Sequence, residues 1–140
     1  MYDEDPDDPI SIVEKVLIRY ARQKKTISYG RLSVVTGGLR PHRFWHKVLM
    51  GVSQRSKERF NALDISILVV SKTTGIPGKG FGQSLSQADF LKWNVNAQEF
   101  FDEKTEEIYN FFENYKTKEE KDAEEPIEVI PGHKEIDFLF

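Results

Sequence analysis

The chain has 140 residues, a length that suits one domain, and carries a net charge of −3 with 39% hydrophobic and 31% charged residues. Because it contains no cysteine, disulfide bonds, thiolate metal sites and cysteine nucleophiles are excluded. The acidic N-terminus lacks the apolar core of a signal peptide, and no apolar run approaches the roughly 18 residues of a membrane span. The composition therefore predicts a soluble, cytoplasmic protein without a membrane partner.

Two helices are predicted at the start of the chain. The first is expected over about 9–23, because Pro9 suits a first helical turn and apolar residues follow at helical spacing. The second is expected over about 29–36, because Ser28 can cap its start and a pair of glycines follows its end.

A third helix is predicted to open at Pro41, and its last apolar residue is Val52. Residues 51–62 are polar and basic, which predicts a connecting segment after this helix. Two helices joined by a tight glycine-containing turn are typical of a helix-turn-helix. An ordinary helical hairpin has the same local pattern, and the pattern alone does not separate the two.

A strand and a glycine-rich loop are predicted next. Residues 63–70 are rich in β-branched side chains, which favours a buried strand. Residues 71–82 hold four glycines and a proline, which favours a loop or hairpin. The expected fold class is therefore α/β, mostly α: a winged helix-turn-helix with one short buried strand, a glycine-rich wing and a long C-terminal helix.

The C-terminal part contains an aromatic stripe over 90–115, which predicts one long helix or two shorter ones. Such a stripe is more often core or partner interface than a ligand site. The tail can add an edge strand, dock on the domain or bind a partner. The predicted organisation is an acidic segment over 1–8, a winged-helix-like domain over 9–115, a charged linker over 116–125 and a tail over 126–140.

The net charge conceals a strong asymmetry along the chain. Residues 11–80 carry 14 Lys and Arg against three acids, a net charge of +11. The flanks 1–10 and 81–140 carry −5 and −9. A basic block of this size predicts a nucleic-acid-binding surface, with DNA the expected partner and RNA the alternative.

No catalytic constellation is found. His42 and His46 have the i,i+4 spacing of two zinc ligands, but no third ligand lies near them in the sequence. The glycine loop lacks the G-K-[ST] ending of a phosphate-binding loop, since Lys79 precedes Gly80. The sequence therefore predicts no enzyme activity, no cofactor and no metal.

The residues expected to contact nucleic acid are basic and cluster around the third helix. Its first turns are expected to read base edges or bind phosphate, and the surrounding cations to contact the phosphate backbone. These residues are Arg31, Arg40, His42, Arg43, His46, Lys47, Arg55, Lys57, Arg59, Lys72 and Lys79.

The stretch ISYGRLSVVTGGLRPHRFWHKVL resembles the C-terminal winged-helix domain of O6-alkylguanine-DNA alkyltransferases and of the non-catalytic alkyltransferase-like proteins. The resemblance implies that Tyr29 presses on the DNA backbone during nucleotide flipping and that Arg43 fills the vacated stack. His46 stands where that family has glycine. The family's Pro-Cys-His-Arg motif would fall near Ile65 to Leu68, where this chain reads ISIL. The resemblance therefore implies DNA binding without alkyl transfer.

A second reading is a protein-interaction module. The stretch LVVSKTTGIPGKGF is similar to a segment of uncharacterised bacterial and phage proteins, and this similarity implies no function. The acidic tail and the aromatic stripe would suit a phage-encoded or defence-related inhibitor that mimics nucleic acid. The acidic flanks would alternatively cover the basic face and modulate its binding.

Overall fold

Five helices account for most of the residues in the computed structural model, which describes residues 8–38, 45–78, 81–82 and 85–115. The helices are α1 (Pro9–Arg22), α2 (Tyr29–Val35), α3 (Trp45–Arg59), α4 (Gln87–Val95) and α5 (Ala97–Phe112), with a 3-10 helix at Ile65–Leu68. Strands β1 (Ile27–Ser28) and β2 (Val69–Val70) form a two-stranded parallel sheet. The fold is therefore α/β and mostly helical.

The first two predicted helices are confirmed. Helix α1 begins with Pro9 in its first turn. The Ser28 hydroxyl accepts a hydrogen bond from the backbone N–H of Arg31 at 3.1 Å and so caps α2. Gly37 and Gly38, with φ of 73° and 74°, take the left-handed conformation that ends a helix.

The prediction of a connecting segment over 51–62 is wrong, because α3 continues to Arg59. The buried side of its last two turns is partly polar and therefore escapes a search for apolar periodicity. The Ser56 hydroxyl donates to the carbonyl oxygen of Leu63 at 2.6 Å and accepts from the N–H of Ile65 at 3.0 Å. These bonds let a polar side chain lie in the interior.

The predicted strand over 63–70 is also wrong for most of its length. Its middle, Ile65–Leu68, is the 3-10 helix, and only Val69–Val70 is strand. Asp64 caps the 3-10 helix: its carboxylate accepts from the Ser66 N–H at 3.0 Å, the Ser66 hydroxyl at 2.6 Å and the Ser53 hydroxyl at 2.6 Å. The partner strand has only two residues, so a longer β2 would leave backbone groups without partners.

The glycine-rich segment forms a tight turn in its described part. The N–H of Ser71 donates to the carbonyl oxygen of Ile76, and the N–H of Gly75 donates to that of Ser71, both at 2.8 Å. Gly75 has a φ of 76°, which favours glycine. The described residues of this segment contain no strand, so a β-hairpin is not formed within them.

The C-terminal part forms two shorter helices, α4 and α5, and not one long helix. Asn96 separates them and caps α5, its side-chain oxygen accepting from the Glu99 N–H at 3.0 Å. Much of the aromatic stripe belongs to the core, since Phe100, Phe101 and Phe112 are buried. The predicted linker 116–125 and tail 126–140 lie outside the described residues, as do residues 1–7 of the acidic segment.

The core lies where α1 packs against α3, the 3-10 helix and α5. Val13 and Leu17 of α1 are fully buried in its centre. Trp45 is 1% exposed, and its indole N–H donates to the Ser33 hydroxyl at 2.8 Å, which fixes α3 against α2. Helix α4 packs mainly on α5 and contributes no buried residue.

Candidate nucleic-acid interface

Helix α3 has one face in the core and one face open. Its inner face is held by Trp45, Val48 and Val52, which pack in the apolar core. We call the opposite face the α3 outer face. Its exposed residues are His46, Lys47, Met50, Gln54 and Glu58.

The glycine turn lies beside the start of α2. The Tyr29 hydroxyl accepts a hydrogen bond from the N–H of Gly78 at 3.3 Å, so the tyrosine holds the turn in place. Arg31 on α2 and Lys72 in the turn are both exposed. Two of the predicted phosphate contacts therefore lie on elements that Tyr29 joins.

Arg55 does not lie where the sequence analysis expected it. Its side chain is 6% exposed and points to α1, so it does not extend a surface for phosphate. Its Nη1 donates to the Ser11 hydroxyl at 3.0 Å and lies 4.0 Å from a Glu14 carboxylate oxygen. Its Nη2 lies 3.4 Å from the Asp8 carboxylate. A buried cation needs such partners, and here they fix α3 to α1.

Arg59 is partly engaged in the same network. Its Nη1 lies 3.0 Å from the Glu14 carboxylate, and one third of its side chain remains exposed. Lys57 is half-buried at the edge of a cleft. Among the cations of α3, Lys47 is therefore the one most available to an outside ligand.

The remaining predicted contacts, Arg40, His42, Arg43 and Lys79, lie outside the described residues. Whether His42 and His46 share one face of a helix therefore stays a prediction. Within the described ranges, no three His, Asp or Glu side chains come together as a metal site. None of the helices in those ranges is long and apolar enough to cross a membrane.

No family model, no curated protein and no solved structure matches the chain. The function must therefore be argued from the chemistry of the α3 outer face and its surroundings.

A cleft of about 410 Å³ lies between the end of α3, the 3-10 helix and α5. Its floor includes Ile67 and Phe100, and both cations and carboxylates line it. Lys104 at its edge lies 3.8 Å from Glu107 and 5.6 Å from the centre of the Phe100 ring. The mixed charges give the cleft no clear preference for an anion or a cation.

Helix α5 presents a mainly acidic outer side. Its exposed carboxylates are Glu99, Asp102, Glu103, Glu106 and Glu107. Just beyond its end, Glu113 lies 3.1 Å from Lys24, which follows α1. Helix α1 packs against both α3 and α5, and this ion pair joins the basic and the acidic part of the sequence.

Sequence reasoning missed Met50 and Gln54 as surface residues of one helix. They are four residues apart, so they share a face once the helix is known to continue. The signal available was the spacing of His46, Met50 and Gln54 opposite the apolar positions of α3. It was obscured because the buried face of residues 53–56 is polar.

Proposed function

We propose that this chain binds duplex DNA without catalysing a reaction, as a winged-helix-like module in which α3 enters a groove. The observation that carries the proposal is the α3 outer face, a rigidly anchored helix surface with His46 and Lys47 at its N-terminal end. Helix-turn-helix proteins use the first turns of such a helix to contact base edges.

The mechanical support for this surface comes from two connections. The Trp45–Ser33 hydrogen bond fixes α3 to α2, and the network around Arg55 fixes it to α1. A helix held on both sides keeps its outer face in one orientation, which reduces the entropy lost on binding.

The electrostatic support comes from exposed cations on α2, on α3 and in the glycine-rich turn. Arg31, Lys47 and Lys72 are exposed, and the Tyr29–Gly78 hydrogen bond joins the elements of the first and the last. Each cation that neutralises a phosphate releases counterions, so affinity is expected to fall with salt. The resemblance to alkyltransferase-like proteins implies the same partner.

The test is a titration of labelled duplex DNA at several salt concentrations. We expect Arg40→Ala, Arg43→Ala and Lys47→Ala, combined in one chain, to abolish binding or greatly weaken it and to flatten the salt dependence. A matched control removes three exposed cations elsewhere in the chain and leaves the same net charge. It combines Lys15→Ala, Lys25→Ala and Lys92→Ala.

Unchanged affinity in the triple variant of Arg40, Arg43 and Lys47 would overturn the proposal. Equal losses of DNA affinity in the two triple variants would show that binding depends only on the net charge of the chain, which would also overturn the role proposed for α3. Duplex RNA of the same sequence, titrated in parallel, decides between the two nucleic acids, because A-form RNA has a deep, narrow major groove that side chains do not read.

One observation favours the alternative of a protein-interaction module. Helix α4 exposes large apolar side chains: Phe90 is 41%, Leu91 is 59% and Val95 is 87% exposed. Exposed apolar surface of this kind is typical of partner interfaces. This alternative gains if neither the full chain nor residues 1–115 bind nucleic acid in the same titration.

A further inference from the structure

The cleft between the end of α3, the 3-10 helix and α5 offers apolar surface to a partner. Its volume of about 410 Å³ lies within the range of ligand pockets in proteins. Leu63, Phe81 and Leu85 line it and are only half-buried, so part of each side chain faces water. A partner with apolar side chains gains free energy by covering them.

The rim of the cleft carries charges of both signs. Lys57 of α3 and Lys104 of α5 contribute cations, and Asp89 of α4 and Glu107 of α5 contribute carboxylates. A partner with a single sign of charge would meet like charges on part of this rim. The cleft is therefore suited to an apolar partner that carries charges of both signs.

The chain leaves α5 beside this cleft. Tyr115 is the last residue that the structure describes after α5, and the centre of its ring lies 5.7 Å from that of Phe60. Phe60 directly precedes Asn61, which lines the cleft. The residues that follow Tyr115 therefore start close to the cleft.

The sequence after residue 125 has the chemistry that the cleft suits. Residues 126–140 carry three carboxylates and one lysine. They also include seven large apolar residues, which are Ile127, Val129, Ile130, Ile136, Phe138, Leu139 and Phe140. The segment is therefore both apolar and charged with both signs.

Within these residues, the stretch IDFLF at 136–140 matches the length of the cleft. In an extended chain, Ile136, Phe138 and Phe140 lie on one side, and four steps of about 3.3 Å cover about 13 Å. Along α5, the cleft is lined from Phe100 to Ile108, which is about 12 Å at 1.5 Å per residue. Three alternate apolar side chains therefore cover the length of this wall.

The connection is long enough, and it favours binding within one chain. Residues 116–135 number twenty, and twenty residues reach up to about 66 Å, several times the length of the cleft. Covalent attachment gives the segment an effective concentration on the order of 1 mM. Even a weak affinity for the cleft is therefore enough to keep it occupied.

We infer that residues 136–140 bind in this cleft, with Ile136, Phe138 and Phe140 against its apolar walls and Asp137 near the lysines of its rim. The occupant is then a segment of the chain itself, and the cleft serves to hold the residues after α5 against the domain. This inference does not depend on the proposed function.

The first test is a methyl NMR spectrum of the full-length chain with labelled isoleucine, leucine and valine. Phe138→Ser combined with Phe140→Ser removes two aromatic rings, whose ring currents shift the signals of nearby methyl groups. We expect the signals of Leu63 and Leu85, which line the cleft, to change. Thermal unfolding checks that each variant is folded.

The matched control combines Ile127→Ser with Ile130→Ser, which places two serines in the same tail outside the stretch 136–140. It should leave the signals of Leu63 and Leu85 as in the wild-type chain.

The second test is competition by a fluorescein-labelled peptide with the sequence of residues 126–140. The peptide should bind the full-length double variant of Phe138 and Phe140 at least about 10-fold more tightly than the wild-type chain, whose cleft is already occupied. In that variant, a further Lys104→Glu should weaken peptide binding by roughly 2- to 5-fold. Lys92→Glu, which changes an exposed lysine that does not line the cleft, should not.

Unchanged signals of Leu63 and Leu85 in the double variant of Phe138 and Phe140 would overturn the inference. Equal changes in the control variant would also overturn it, because residues 136–140 would not be the occupant. Changes confined to Leu91 and Val95 would place the segment on the exposed apolar side of α4 instead.

Two further results would contradict the inference. A peptide that does not bind the double variant at about 1 mM would have too little affinity to occupy the cleft within one chain. Signals of the wild-type chain that change with protein concentration would show that the cleft takes the segment of a second copy, which would overturn binding within one chain.

Discussion

Glu14 is a buried carboxylate at the junction of α1 and α3, with only 8% of its side chain exposed. Its charge is tolerated because Arg55 and Arg59 approach the same oxygen at 4.0 and 3.0 Å. An ion pair in this setting adds little net stability compared with apolar residues, but removing one partner is costly. This distinction leads to a prediction for Arg55.

Arg55→Ala should lower the free energy of unfolding by about 3 kcal/mol. This value is near the lower end of the usual cost of breaking a buried ion pair, because Arg59 still contacts Glu14. The measurement is urea unfolding, with the exposed Arg31→Ala as control, expected within about 0.5 kcal/mol of wild type. Replacing both buried charges, as Glu14→Met with Arg55→Met, should restore much of the loss. A double variant less stable than Arg55→Ala alone would contradict this account.

Tyr109 gives the protein a pH dependence in alkaline solution. Burial raises the pKa of Tyr109 above its ordinary value of 10.0, because desolvation disfavours the phenolate. The unfolded chain therefore loses this proton at lower pH than the folded chain. The tyrosine's contribution is complete below pH 10.0 and is lost as pH rises through the folded pKa.

Tyr109→Phe should therefore flatten part of the alkaline fall in the free energy of unfolding. Urea unfolding of both chains across the range from pH 9 to 11 tests this, since the free energy of unfolding of the wild-type chain should fall relative to that of the variant as pH rises. Curves that stay parallel would show that Tyr109 ionises equally in the folded and unfolded states.

At the scale of elements, a glycine in α3 leaves room for a side chain of α1. A Cβ atom at Gly51 would meet the end of the Ile10 side chain. Glycine inside a helix is less favourable than alanine by about 0.5–1 kcal/mol. In Gly51→Ala, the contact of the new methyl group with Ile10 therefore offsets part of the gain in helix propensity.

Gly51→Ala should stabilise the protein by about 0.5–1 kcal/mol in an Ile10→Ala background, where the space is open, and by less in the wild-type background. Urea unfolding of the four chains in this double-mutant cycle measures the coupling. An equal effect of Gly51→Ala in both backgrounds would show that Ile10 moves aside without cost.

The local elements were predictable where short-range signals decide them. Pro9 and Ser28 mark helix starts through their own backbone and side-chain chemistry, and the structure agrees. The end of α3 was not predictable, because Ser53 and Ser56 are buried through bonds to residues that follow the helix. Polar residues with distant partners look like surface in a sequence.

In the candidate site, too, local features were predictable from the sequence and features that depend on distant residues were not. The exposure of Lys47 and Arg31 was foreseeable from composition, since isolated cations seldom lie inside. The burial of Arg55 was not, because it depends on Glu14, which lies on another helix. β-branched residues in ISILVV likewise suggested a strand, while Asp64 directs the first of them into a 3-10 helix.

At the scale of the whole molecule, charge is divided unevenly along the sequence, with a basic block over 11–80 and acidic flanks. Removing residues 116–140 takes away eight acids and four lysines, which changes the net charge from −3 to +1. The cut must fall after α5, because Phe100 and Phe112 belong to the core and a chain ending at residue 95 would lose them. A chain of residues 1–115 keeps the five helices that the structure describes.

This shortened chain should bind duplex DNA more tightly than the full chain, by roughly 3- to 10-fold at low salt, because less negative charge opposes the approach of a polyanion. The difference should shrink as salt rises, since the Debye length falls to about 3 Å at 1 M. Titration of both chains at matched salt concentrations measures it. If the two affinities coincide at the lowest salt, the acidic residues after α5 exert no force at the binding surface, and the uneven charge along the sequence has no part in recognition.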